Sequence, residues 1–337
     1  MGEDEVAVST LEVLDPEMLR MAIRRADLEP CLMSSRPSPS RLIRLECSRL
    51  CLDLVSVGPA MAYAGMMPRN CYTLTFVLTC PGKSQSFNFG TDFTAGYLGL
   101  FPPGAQLDAY SVAGSEDAIL TVPVEEFEAA AAVHFPEIPG RILARGAGMR
   151  VDPGVQGRVR TLVDDLKRVI LERGDGAGDP APCGRLRNEL LPAFFAILRS
   201  GCEALVPLPS ARLSRRYGRW RQAREFIQDH LDEAVSVADL CEEIGLSERG
   251  VECLFQDLVG VSPTSFLRRQ RLHCARRKLQ RAGYAPGVVK RVAIESGCWH
   301  LGRFSHDYRT MFGEMPSETL ADSLGRASDL LSSREKA

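Results

Sequence analysis

The chain has 337 residues, of which 45% are hydrophobic and 25% charged, and its formal net charge is −2. That length suffices for two domains with cores of their own, and the near-neutral balance excludes polyanion binding through bulk charge alone. The average hides an asymmetry: residues 1–171 carry 16 Lys/Arg against 21 Asp/Glu, whereas residues 211–320 carry 18 against 14, and 16 of those 18 are arginine.

Only the C-terminal part therefore suits a phosphate backbone. No 18-residue apolar run and no signal-peptide pattern occurs, so a cytoplasmic protein without membrane contact is expected. The eleven cysteines are irregularly spaced and form no CxxC pair. Cys47, Cys51, Cys71, Cys202 and Cys241 fall inside apolar periodic stretches and are expected to be reduced, small buried hydrophobes.

In chain order, residues 11–30 read as a polar, partly helical preamble. Short β segments follow at 41–58, 71–80, 84–90, 97–104 and 117–123, separated by Pro and Gly turns. Such spacing predicts a sandwich or small barrel. "GYLGLFPPGAQLDAY" resembles the strand–turn–strand element of cupin-like jelly rolls. None of the five histidines (His134, His230, His273, His300, His306) lies in this strand region, so no metal or other cofactor is expected there. Tyr72, Phe76, Phe87, Phe89 and Tyr97 are expected to line a barrel interior, either as core or as the wall of a pocket for one small organic ligand. No effector-binding residue can be named.

"VEEFEAAAAVH" after Pro123 predicts a helix with an acidic first turn. Residues 155–173 and 186–205 predict two more apolar-faced helices, packed together or paired across a dimer. "GDGAGDPAPCG" lies between them as a flexible break, and "VPLPSARLSRRYGR" (206–219) reads as a linker. The expected organisation is a sensing domain at 1–173, a linker at 174–185, a helical connector or dimerisation segment at 186–210 and a helical domain at 211–325.

Residues 235–320 contain an internal repeat. Cys241, Gly245, Val251, Phe255, Gly260 and Pro263 in the first copy match Ala293, Gly297, Phe304, Tyr308, Gly313 and Pro316 in the second. The steps are 4, 6, 4, 5, 3 and 4, 7, 4, 5, 3. Each copy predicts two helices joined by a tight turn, where the small residue permits a close crossing and the glycine supplies backbone freedom. Ser247 is placed to cap the helix that follows it. This is helix-turn-helix geometry, whose second helix enters the DNA major groove. Adjacent Ser305, His306 and Asp307 are not a hydrolase triad: on a helix, neighbouring side chains point about 100° apart and cannot converge on one atom.

"VADLCEEIGLSERGVECLFQDLVGVSPTSFLRRQRLHCARRKL" and "VAIESGCWHLGRFSHDYRTMFGEMPSE" closely resemble the double helix-turn-helix domain of AraC-type transcriptional regulators, over about residues 216–320. Residues 297–320 are most similar to the ethanolamine-operon branch. "GVSPTSFLRRQRL" resembles the family's connection into the helix that bridges the motifs. The chain departs from the family in having Glu318, Thr319 and Leu320 where many members carry an aromatic–Arg pair, which puts a terminal phosphate contact in doubt.

The resemblance implies an α+β chain: an N-terminal cupin-like β-barrel or jelly roll with helices, then an all-α double helix-turn-helix. It implies a DNA-binding regulator and not an enzyme, acting as an activator. The implied partners are double-stranded promoter or operator DNA, a small-molecule effector, RNA polymerase and a second copy of the chain. By resemblance and helical phase, the candidate DNA-binding residues are Ser247, Arg249, Glu252, Cys253 and Gln256 on the first recognition helix. On the second they are His300, Leu301, Gly302, Arg303, Ser305, His306 and Arg309. Arg249 suits guanine O6 and N7, Glu252 suits cytosine N4, and Ser305 suits phosphate. Asp307 is expected to pair with a nearby arginine, and Trp299 to pack near the turn. The cations of the bridging helix (Arg268, Arg269, Arg271, Arg276, Arg277 and Lys278), with Lys290 and Arg291, are expected to divide between phosphate contacts and ion pairs within the domain.

Overall fold

The computed structural model describes residues 6–13, 26–34, 38–81, 86–88, 91–173, 181–201, 206–207, 214–233, 235–283 and 285–322. It divides into two compact units, Met1–Pro30 with Ser38–Ser214, and Cys31–Pro37 with Arg215–Ala337.

The first unit is built on two antiparallel sheets. The larger holds β1 (Val6–Val13), β3 (Ser40–Cys47), β4 (Leu50–Ser56), β11 (Glu116–Pro123), β6 (Cys71–Thr79), β9 (Tyr97–Phe101), β12 (Ala147–Arg150) and β13 (Val206–Pro207), in that spatial order. The smaller holds β2 (Asp27–Leu32), β5 (Met61–Met66), β10 (Gln106–Ser111), β7 (Ser86–Asn88) and β8 (Thr91–Phe93). The expected preamble is thus occupied by β1 and β2 wherever it is described. The alternating segment 41–58 is a hairpin, β3–β4, that reverses at Ser48 with φ 57°.

The helices of this unit are α1 (Val124–His134), α2 (Gly140–Arg145), α3 (Pro153–Arg173), α4 (Ala181–Arg185) and α5 (Leu191–Ser200), with a π-helical turn at Leu186–Leu190. The large sheet shows these helices an almost wholly apolar face. Leu52, Leu54, Leu74, Phe76, Ala118, Leu120 and Val122 join Phe127, Val159, Val163, Leu166, Ile170, Phe194 and Phe195 in one buried core. Segment 186–210 is therefore no separate connector where it is described. Its apolar face, like that of α3, is consumed within the first unit, which removes both as ready-made dimer stripes.

Two expectations fail here for chemical reasons. Cys47 is not a free buried thiol but is joined to Cys183 in a disulfide, with Cα atoms 5.6 Å apart across 136 residues of sequence. Nothing in the local pattern of either cysteine signals a partner so distant. Tyr72 and Phe76 face the helical core and not a barrel interior: Tyr72 stacks on Phe127 and Phe76 approaches Phe194. Phe89 lies outside the described residues, as does Cys202.

The second unit is helical: α6 (Ser214–Asp229), α7 (Val237–Ile244), α8 (Glu248–Val259), α9 (Pro263–Arg281), α10 (Val288–Ile294) and α11 (Leu301–Phe312). The expected linker at 206–219 already enters α6 at Ser214. That helix is polar overall, but its buried face carries Tyr217, Trp220, Ala223 and Ile227 at helical spacing. Trp220 meets Phe255 and Phe266 edge-on at 5.1 and 5.3 Å, so α6 closes the core of the first helix-turn-helix motif.

Candidate nucleic-acid interface and interior cavity

The repeat in the sequence is a repeat in the backbone. In the first copy, α7 opens on a reciprocal cap: Asp239 N–H donates to Ser236 Oγ, and Ser236 N–H donates to Asp239 Oδ2 at 2.7 Å. The helix ends at Gly245 in the left-handed region (φ 63°), and Ser247 Oγ accepts from Gly250 N–H to start α8. In the second copy Gly297 takes the same conformation (φ 70°) between α10 and α11. A side chain there would also strike Arg271 Nε, 2.9 Å from where its Cβ would lie.

Val251, Leu254, Phe255 and Leu258 of α8 are buried, as are Phe304, Tyr308 and Met311 of α11. The opposite faces are open. Ser247, Arg249, Glu252, Cys253 and Gln256 are exposed in the first motif. His300, Leu301, Gly302, Arg303, His306 and Arg309 are exposed in the second, with Ser305 half-buried among them. Trp299 does not pack near the turn. It is 57% exposed, next to His300 and Leu301, and joins the candidate surface. Periodicity gave no cue to it, because it precedes the helix.

The two faces differ electrostatically. Glu248, Arg249, Glu252 and Asp257 leave the first acidic, although Asp257 is paired with Arg216. The second offers Arg303 and Arg309, while Asp307 is turned aside between Arg268 (3.6 Å) and Arg303 (3.7 Å). Most cations of α9 hold the domain together. Arg276 is buried, 2.9 Å from Glu314, with its guanidinium 4.5 Å from the Phe312 ring centroid. Arg271 Nη2 donates to the Val235 carbonyl, and Lys278 Nζ to the Glu295 carbonyl. The departure at 318–320 is also structural. Thr319 Oγ1 lies 2.8 Å from the buried Tyr308 hydroxyl, Glu318 accepts from Met315 N–H, and Leu320 is buried.

The second unit includes the segment Cys31–Pro37. Leu32 N–H donates to His273 Nε2 at 2.8 Å, so this imidazole must be neutral at that nitrogen. Burial, with Arg277, Arg276 and Arg269 nearby, lowers its pKa to about 3.

In the first unit a cavity of about 140 Å³ lies between the two sheets. The face that the large sheet turns to it is polar where its other face is apolar. Across β4, β11 and β6 the inward rows are Val55–Asp117–Val77, Asp53–Ile119–Thr75 and Cys51–Thr121–Thr73. Arg44 of β3 donates to both oxygens of Asp53, at 2.7 and 2.8 Å. The aromatic lining comes from Tyr63, Phe93, Phe101 and Tyr110. Burial, with Glu116 beside it, raises the Asp117 carboxyl to about 7.

Residues 240–322 match the family described as "Helix-turn-helix domain". The chain is 35% identical over 96 residues to the XylDLEGF operon transcriptional activator 3 of Pseudomonas putida, covering 28% of this chain and 29% of that protein. The match thus spans under a third of that relative's length. A probable AraC family transcriptional regulator from Rhodopseudomonas palustris CGA009 has a solved structure that is 38% identical. The match covers 32% of this chain and 97% of that one, with a TM-score of 0.30. The DNA-binding domain of AdpA, a global transcriptional factor solved in complex with a target DNA, is 25% identical (32% and 93% covered, TM-score 0.29).

Proposed function

Given an AraC-type helix-turn-helix domain at residues 240–322, we propose that the whole chain is a one-component, sequence-specific transcriptional activator and not an enzyme. The observation that carries this is the pair of exposed recognition faces, α8 and α11, joined by the 19-residue α9. At 1.5 Å per residue that helix is about 28 Å long, which suits successive major grooves on one face of DNA. Arg249, Glu252 and Gln256 read one groove. His300, Arg303, His306 and Arg309 read the next, with Ser305 on phosphate. Ser247, Cys253, Leu301 and Gly302 make the close contacts around them.

The first unit acts as a cupin-like sensor whose interior cavity takes a small-molecule effector. Activation brings RNA polymerase to the promoter, and the chain works as a homodimer in the cytoplasm. The resemblance of residues 297–320 supports a place in the ethanolamine-operon branch. Selection of sites from a random double-stranded DNA library with the purified protein tests the reading. It should enrich one motif with two half-sites a helical turn apart, and retention of DNA without an enriched motif would overturn it.

A further inference from the structure

The cavity of the first unit carries a charge that nothing around it answers. Of the three Arg and Asp side chains in its wall, Arg44 and Asp53 neutralise each other through a two-point ion pair. Next to Asp117, Glu116 is held by Ser56 Oγ at 3.3 Å and Thr79 Oγ1 at 3.1 Å. Among the described residues no hydrogen bond or ion pair reaches the Asp117 carboxylate. Arg160, Asp164 and Lys167 of α3 line a separate small cleft that also touches Asp117, and none of them pairs with it. A second polar group in the cavity is also unanswered: Thr73 is 1% exposed and its Oγ1 has no partner. Unsatisfied polar groups in a protein interior are costly, and they are retained chiefly where something binds them.

The rest of the wall is aromatic and aliphatic, and Tyr63, which feels the charge of Asp117, stands across from it on the smaller sheet. Aromatic faces and one carboxylate together select a compact organic cation. The volume, about 140 Å³, is close to the roughly 150 Å³ that accommodates benzene in an apolar cavity.

We propose that this cavity binds a small organic amine in its ammonium form, with Asp117 as its counter-ion and the aromatic wall around its apolar body. The assignment rests on the reading of the first unit as a sensor, and it names the effector class.

The test is isothermal titration of the full-length protein with three probes of one shape and different charge: benzylammonium, benzyl alcohol and benzoate. Benzylammonium should bind saturably, and Asp117→Asn should weaken it by about tenfold or more. Asp117→Asn should also raise the unfolding midpoint without ligand, because it removes an unpaired carboxyl from the cavity wall, and this shows that the variant folds. In the wild type, binding near neutral pH should release a proton from Asp117, visible as a dependence of the heat on buffer ionisation. Binding of benzoate or benzyl alcohol in preference to benzylammonium would overturn the amine assignment while leaving a ligand-binding sensor. Equal benzylammonium affinity in the wild type and Asp117→Asn would overturn the role of Asp117, and no binding by any probe would overturn the inference altogether. Saturable, Asp117-dependent binding that leaves DNA affinity unchanged would support the site and sink the sensor reading.

Discussion

At the residue scale, two arginines occupy comparable places on the two recognition helices but in unlike surroundings. Arg303 is 71% exposed and is tied to Asp307 only by a 3.7 Å contact, a pair worth little in water and easily exchanged for a base edge. Arg249 stands on an acidic face with Glu248 and Glu252. We expect Arg303→Ala to weaken binding to the selected DNA site by about 1–3 kcal/mol, and Arg249→Ala by less, since its neighbours repel phosphate. Fluorescence anisotropy at fixed salt measures both; an unchanged affinity in Arg303→Ala removes it from the reading face.

His273 supports a second residue-scale prediction. Its folded pKa of about 3 lies below the ordinary value of 6.5, so the unfolded chain binds the proton more readily. The stability held by the neutral imidazole is complete above pH 6.5 and is lost as the pH falls toward 3, by about 1.4 kcal/mol per pH unit. Between pH 7.5 and 5.0 the wild type should lose about 2 kcal/mol more than His273→Gln, which can still accept from Leu32 N–H. Denaturant titrations at the two pH values decide it, and parallel losses in both proteins would refute the assignment.

At the element scale, the recognition helices were legible because their apolar positions recur at helical spacing and their ends carry chemistry. Val251, Phe255, Phe304 and Tyr308 are buried as the repeat requires, and Gly245 and Gly297 take the left-handed turn. α6 was hidden because arginines dilute its apolar face, leaving Tyr217, Trp220 and Ile227 as its anchors. The capping pair Ser236–Asp239 has the Ser-x-x-acid spacing of a reciprocal cap. In the first unit the strands were legible and their order was not: β11 lies between β4 and β6, pairings that only the tertiary fold specifies. Side assignment failed for the same reason. Period-two alternation separates two faces of a sheet but does not say which meets helices and which meets a cavity, so the side taken by Tyr72 and Phe76 is not readable from β6 alone. The disulfide from β3 to α4 lay beyond any local pattern. Closing a loop of 136 residues, it should contribute roughly 3–5 kcal/mol. Reductant, or a Cys47→Ser/Cys183→Ser variant, should lower the unfolding midpoint of the first unit. A midpoint that moves in neither case would show the bond to be absent or without consequence.

At the scale of the whole molecule, the chain joins an acidic sheet-rich unit to an arginine-rich helical one. Its second unit spends Arg268, Arg271 and Arg276 of its longest helix on its own cohesion, through Asp307, the Val235 carbonyl and Glu314. DNA affinity therefore has to come from few side chains on two short faces, which favours sequence-specific contacts over a broad electrostatic footprint. Such a protein needs both motifs engaged at once. Hydroxyl-radical footprinting of the full-length protein on its selected DNA site tests this most directly. The account predicts two protected tracts on one face of the duplex, about 10 base pairs apart, with the tract under α11 lost in Arg303→Ala. A single protected tract, or two on opposite faces, would contradict it.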